Sequence, residues 1–271
     1  MTMEINVAKY YDEYSESYDS GFEIVQLKIE TDLAWRFIKK FLPKSLDARV
    51  LDAGGGTGRF AIPIAKLGYH VNLVDISQGM IEQAKKKVVK ENLEEQIDVM
   101  KGDITNLRFP NDYFDFILCE QDVLSLLDDP EAGMKELARV LKSGQRLLVS
   151  VVNRIGGAVG GFKYPDNLEK TLKLLTTEKY RVGKMPSGAS ARFRLYTPHE
   201  LQTLFEKSGF TVEKMGGRLI LTHLKIPEDI RRSKDIPKSV YRKILRIETL
   251  LSEEPSVIGL ALRLQAVGIK N

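Results

Sequence analysis

The chain is poor in the residues that most metal and redox chemistry uses: one cysteine, three histidines and one tryptophan among 271 residues. The single Cys119 cannot close an internal disulfide, and its apolar surroundings mark it as a small buried hydrophobe rather than a nucleophile. His70, His199 and His223 lack the spacing of a metal site, so no metal is expected. No apolar run approaches the roughly 20 residues that span a bilayer. The opening MTMEINVAKYYDEYSES has neither the basic nor the apolar region of a signal peptide. The expectation is a cytoplasmic protein with no membrane span; oligomeric state stays open.

With 43% hydrophobic and 29% charged residues, the chain can bury a full core, and residues 1–271 read as one domain with insertions. Charge is unevenly spread: the net is −6 over residues 1–150 and +10 over residues 151–271. The basic excess lies in 179–194 and 225–246. Such runs are usually solvated faces, and they also suit an anionic partner such as RNA, a carboxylate or a phosphate.

The densest signal is Val50-Leu51-Asp52-Ala53-Gly54-Gly55-Gly56-Thr57-Gly58. An apolar strand over 49–53 carries an acid near its end, and Gly54, Gly56 and Gly58 then let the backbone turn sharply beside a ligand. A dinucleotide loop needs G-x-G-x-x-G, but Arg59 stands where its third glycine belongs, which argues against NAD. Further strands are expected at 69–75, ending in Asp75, at 96–103, ending in Gly-Asp-Ile, and at 112–120, ending in Glu120. Over 136–152 a helix should pass into a strand through a Ser143-Gly144 stop. Helical stretches at 60–67, 80–89 and 130–141 alternate with these strands and demand right-handed crossovers in a mostly parallel, doubly wound α/β sheet. Asp52, Asp75, Asp103 and Glu120 then meet at the carboxyl ends of the strands, where Asp75 can hold both hydroxyls of a ribose.

Residues 153–195 are too many for a plain connection and should fold over the acceptor side. A helix follows at 198–208, with Thr197 as cap, Pro198 in the first turn and Glu200 closing a capping box. The periodicity then predicts a strand at 210–215, helices at 227–233 and 238–251, and a last strand at 258–269. Val240, Ile244, Ile247 and Leu251 are expected to face the core.

The D-x-G-x-G-x-G run with its successive strand-end acids, over residues 48–152, resembles the class I S-adenosylmethionine (SAM) methyltransferases. The resemblance implies a Rossmann-like, mostly parallel seven-stranded sheet with N-terminal helices and an insertion after the fifth strand. It implies SAM as cofactor and S-adenosylhomocysteine as product. Gly54, Gly56 and Gly58 would frame the methionine part, Asp52 would hold its ammonium, and Asp75 with Ile76 the ribose. Asp103 and Ile104 would meet the adenine, and Glu120 and Gln121 would lie nearest the sulfonium.

The segment Tyr10-Tyr11-Asp12-Glu13-Tyr14-Ser15-Glu16-Ser17-Tyr18-Asp19 resembles the Y-D-x-x-A-x-x-Y-D lead-in of the ubiquinone/menaquinone-type methyltransferases, with Ser15 in place of the usual Ala. That implies a helical lid over 1–45, with Tyr11, Tyr14 and Tyr18 above the cofactor, a SAM-binding core at 46–152, and substrate-side insertions at 153–195 and 218–255. Should the acceptor need a base, Glu120, Asp122, Tyr18 and His223 are the candidates. Should it be anionic, Arg154, Arg192, Arg194 or Arg218 could clamp it.

Gly217-Arg218-Leu219, Ile247-Glu248-Thr249-Leu250-Leu251 and Glu254-Pro255 are similar to the ending of the bacterial tRNA wobble-uridine carboxyl methyltransferases, and Asn153 matches an Asn after their fifth strand. The reading is therefore an enzyme that moves a methyl group from SAM to an O, N or C nucleophile of a small polar or anionic metabolite by direct displacement. The alternatives are a tRNA methyltransferase and a non-catalytic SAM-binding protein.

Overall fold

A computed structural model describes residues 6–162, 164–177, 179–185 and 187–271. Among the described residues nine strands form: β1 (Arg49–Ala53), β2 (His70–Asp75), β3 (Ile97–Lys101), β4 (Phe114–Cys119), β5 (Leu141–Val152), β6 (Tyr180–Lys184), β7 (Ser190–Arg194), β8 (Phe210–Arg218) and β9 (Arg263–Lys270). Seven build one sheet in the order β3-β2-β1-β4-β5-β9-β8, and β6 pairs only with β7. Only β9 runs against the rest, pairing antiparallel with both β5 and β8. The expected fold class is the one found, and the order reverses between β1 and β4, the place where such sheets open a crevice.

Alternation along the central strands explains why both faces are covered. Val50, Phe116, Leu118 and Leu148 point into a core shared with Ala34, Phe37 and Ile38 of the long helix Val25–Phe41. Leu51, Ile117, Cys119 and Val149 point the other way, onto Met134 and Leu137 of helix Pro130–Val140. Cys119 is fully buried, and burial raises its thiol pKa well above the ordinary value, in keeping with a packing role.

Some expectations need correction. The helix before β5 ends at Val140, and the strand begins at once. Ser143 and Gly144 lie inside β5, where pairing slips from Phe114↔Leu141 to Phe116↔Arg146 and Gly144 takes φ +75°, so the glycine serves a bulge rather than a helix stop. β9 starts at Arg263, with Ile258–Leu260 forming a 3-10 turn ahead of it. The helix Lys238–Leu251 is rotated relative to its expected stripe: Val240 and Ile247 are exposed, whereas Leu245 and Glu248 are buried. Glu248 goes inside because its carboxylate accepts the backbone N–H groups of Ile220 and Thr222, which would otherwise be orphaned. The capping box forms as expected, with Glu200 N donating to Thr197 Oγ1 and Thr197 N to Glu200 Oε2.

Candidate functional site

The turn after β1 is shaped by its neighbours. The N–H groups of Gly54 and Gly55 donate to Val74 O at 2.7 and 3.1 Å, which ties the turn to the end of β2. Gly54 has φ +76°, and a Cβ on it would come within 2.4 Å of Val123. Gly56, at φ +54°, has open space where its Cβ would be, and its N–H donates to Asp75 Oδ2 at 2.9 Å. Asp75 Oδ1 accepts from Ser77 N at 2.9 Å. Burial raises the Asp75 carboxyl pKa despite these donors.

Around this turn lies a cavity of about 540 Å³. Of the expected site residues, Tyr11, Tyr18, Gly54, Gly56, Asp75, Ile76, Asp103, Ile104, Gln121 and Arg192 line it together. Asp103 is held by the backbone N–H and hydroxyl of Thr105, both at 2.8 Å. Gln121 presents a buried Nε2 that has no hydrogen-bond partner among the described residues. Gln121 and Asp122 also have φ of 62° and 68°, two successive non-glycine residues in the left-handed region. Such strain persists only where surrounding contacts enforce it, and it gathers at ligand sites.

Those contacts come from a buried relay. Gln121 N donates to Ser150 Oγ at 3.0 Å, Ser150 Oγ donates to Glu120 Oε2 at 2.9 Å, and Arg218 Nη1 stands 3.0 Å from the same carboxylate oxygen. Arg218 and Glu120 are 0% and 2% exposed. Beside them Arg263 bridges Asp122 and Glu30.

The remaining expected residues sit behind or beside the cavity. Asp52 Oδ2 accepts from Ala61 N at 3.1 Å, at the start of the next helix. Burial, with Asp75 and Glu120 nearby, pushes the Asp52 pKa up to about 7. Gly58, at φ +82°, packs against Ile62 and Leu73. Tyr14 stacks edge-on against Tyr18, with ring centroids 5.3 Å apart. Asn153 is buried, its amide donating to Gly259 O and Ala261 O at 2.8 and 2.6 Å. Arg154 pairs with Glu200, Arg194 lies over the Tyr196 ring, and Arg192 pairs with Asp128 at 2.9 Å. His223, on the helix Leu221–Leu224, packs against Gly160, where a Cβ would meet its Nε2 at 1.9 Å.

Sequence reasoning noticed the tyrosines of the N-terminal segment and missed its aspartates. Asp12 Oδ1 accepts from Gly79 N at 2.9 Å and from Ser77 Oγ at 2.6 Å, adding a second acceptor at the start of helix Gln78–Lys90. Asp19 accepts from Thr57 Oγ1, Arg59 Nη2 and Lys87 Nζ at 2.9, 3.1 and 2.8 Å. The available signal was the repeat of Tyr-Asp at a spacing of seven, which puts both acids on one side of a helical path.

Residues 51–149 match the family described as "Methyltransferase domain". The demethylmenaquinone methyltransferase of Clavibacter sepedonicus is 29% identical over 144 residues, which cover 53% of this chain and 56% of that protein. The ubiquinone biosynthesis O-methyltransferase of Xylella fastidiosa is also 29% identical, over 67% of this chain and 68% of that protein. The match to the first spans little more than half its length. Among solved structures, a SAM-dependent methyltransferase of Thermotoga maritima, described as a possible histamine N-methyltransferase, superposes with a TM-score of 0.62 at 24% identity, over 97% of this chain and 99% of its own. That likeness concerns the fold. The Gly-rich turn and the strand order agree with that match, and residues 51–149 are similar to the methyltransferase-domain family.

Proposed function

We propose that the protein is a SAM-dependent methyltransferase acting on a small-molecule acceptor by direct displacement at the methyl carbon. The observation that carries this reading is the convergence on one cavity of the open Gly56, the strand-end acids Asp75 and Asp103, and the unpartnered Gln121 amide. These groups fit the cofactor: a carboxylate with lone pairs left beyond its two backbone donors can accept ribose hydroxyls, and Asp103 can accept an adenine amino group. When bound, SAM supplies a methyl group on a positively charged sulfur.

The chain's own residues then have separable tasks. Tyr11 and Tyr18, carried by the N-terminal segment, wall the cavity and exclude water, which strengthens electrostatics inside it. Burial raises the pKa of both phenols, so they stay protonated at neutral pH and donate rather than remove a proton. Glu120 and Asp122 are engaged by Arg218 and Arg263 and position the Gln121 loop. Among the described residues, the acids that line the cavity, Asp75, Asp103, Asp128 and Asp129, each already accept a hydrogen bond, which favours an acceptor that arrives as a ready nucleophile, such as an ionised carboxylate or an acidic hydroxyl. The domain roles assigned to 1–45, 46–152, 153–195 and 218–255 belong to this proposal, and the relatives' names make a quinone-type acceptor the first to try.

A tRNA acceptor is the second reading, favoured by the net charge of +10 over residues 151–271. Transfer of labelled methyl from SAM into a cell extract, then split into RNA, protein, lipid and small-molecule fractions, separates the readings. Label in the small-molecule or lipid fraction supports the first. Label that ribonuclease removes supports the second, which also requires RNA binding to fall steeply with salt. Tight SAM binding with no labelled fraction would leave a SAM-binding protein that transfers nothing.

A further inference from the structure

The insertion between β5 and β7 carries an apolar surface that the cavity does not use. Helix Arg154–Phe162 packs against helix Leu168–Thr176. On the second helix only Thr171 is buried, while Leu174 packs inward against the cluster of Val152, Ala191, Phe193 and Leu195. Leu168, Leu172 and Leu175 are left 46%, 56% and 55% exposed. At 3.6 residues per turn these three leucines fall within an arc of about 60°, a continuous stripe. Phe162, at the end of the first helix, is 68% exposed, and Tyr180 and Val182 on β6 add further exposed apolar groups.

The charge around the stripe selects its partner. Residues 154–194 hold nine Lys and Arg against three Asp and Glu. Lys170 and Lys173 are exposed on the side of the helix away from the leucines. Protein interfaces are depleted in lysine, whereas leucines on one face with lysines on the other are what an amphipathic helix lying in the headgroup region of an anionic bilayer presents.

We propose that this helical pair docks the protein on the surface of an anionic phospholipid membrane, with Phe162, Leu168, Leu172 and Leu175 entering the headgroup boundary. Arg192 of the adjoining β7 lines the cavity, so the docked surface lies beside the site. The inference does not depend on methyl transfer and can fail or hold separately from it.

The test is co-sedimentation of the full-length protein, without SAM, with vesicles of phosphatidylglycerol and phosphatidylcholine. Binding is expected to anionic vesicles and to weaken at least about tenfold with pure phosphatidylcholine or with Lys170→Glu/Lys173→Glu. Leu172→Glu/Leu175→Glu should lose binding by about tenfold or more while keeping its melting temperature, because both side chains are exposed. No co-sedimentation with anionic vesicles would overturn the proposal. Undiminished binding by the leucine variant would overturn it too, since charge alone, as in contact with RNA, would then suffice. A dimer dissolved by that variant, in place of vesicle binding, would assign the stripe to a second copy.

Discussion

The two sides of the central sheet treat charge in opposite ways. On the β1–β3 side, Asp75 and Asp103 line the cavity, and their partners are local backbone N–H groups and the Thr105 hydroxyl. On the β4–β5–β9–β8 side, Glu120 and Asp122 at the end of β4 are matched to Arg218 of β8 and Arg263 of β9 and stay out of the lining. The first arrangement leaves acceptor capacity for a ligand. The second uses charge to hold a strained loop in place, at the desolvation cost of burying ions.

The comparison can be broken first on the second side. Arg218→Ala removes the partner of a carboxylate that is 2% exposed, and should destabilise the fold by about 3–5 kcal/mol in urea unfolding. The paired change Arg218→Met with Glu120→Gln should recover much of that loss. If Arg218→Ala proves neutral, the relay is not a structural pair.

Asp52 sharpens the contrast through pH. Its folded pKa is raised to about 7, mainly by burial, so between about pH 4 and pH 7 the folded state holds a proton that the unfolded state has released. Stability should therefore fall as pH rises through that window and then level off. Asp52→Asn, which keeps an acceptor for Ala61 N, should flatten this dependence by a few kcal/mol in parallel denaturation series. Identical pH profiles for the two proteins would remove Asp52 from the account.

A smaller effect is expected at the N-terminal cover. Asp12→Ala frees Gly79 N and Ser77 Oγ from their shared acceptor, and should weaken SAM affinity about tenfold and expose the segment to protease while leaving unfolding of the core unchanged. The smallest belongs to Arg192→Ala. Its pair with Asp128 has partners 40% and 89% exposed, so stability should change by no more than about 1 kcal/mol.

How far the sequence reached follows the same division. The Gly54–Gly58 turn, Asp75, Asp103 and the Thr197–Glu200 capping box were legible because each is specified within a few residues of its own strand or helix. The inward face of Lys238–Leu251 was misread because a buried Glu248 is stable only where Ile220 and Thr222 bring their N–H groups, a fact of tertiary approach. For the same reason the arginines expected to clamp an anion were invisible as pairs. Glu200 lies 46 positions from Arg154, and Glu120 lies nearly a hundred from Arg218. The strain at Gln121 and Asp122 had no compositional sign, since neither is glycine.

The most direct test of the account is calorimetric titration of SAM into the wild-type protein and into Asp75→Ala. The account predicts one equivalent bound by the wild type and a loss of at least about a hundredfold in the variant, which should still unfold in one cooperative transition at a somewhat lower temperature because Gly56 N and Ser77 N lose their acceptor. Equal affinity in the two proteins would contradict it.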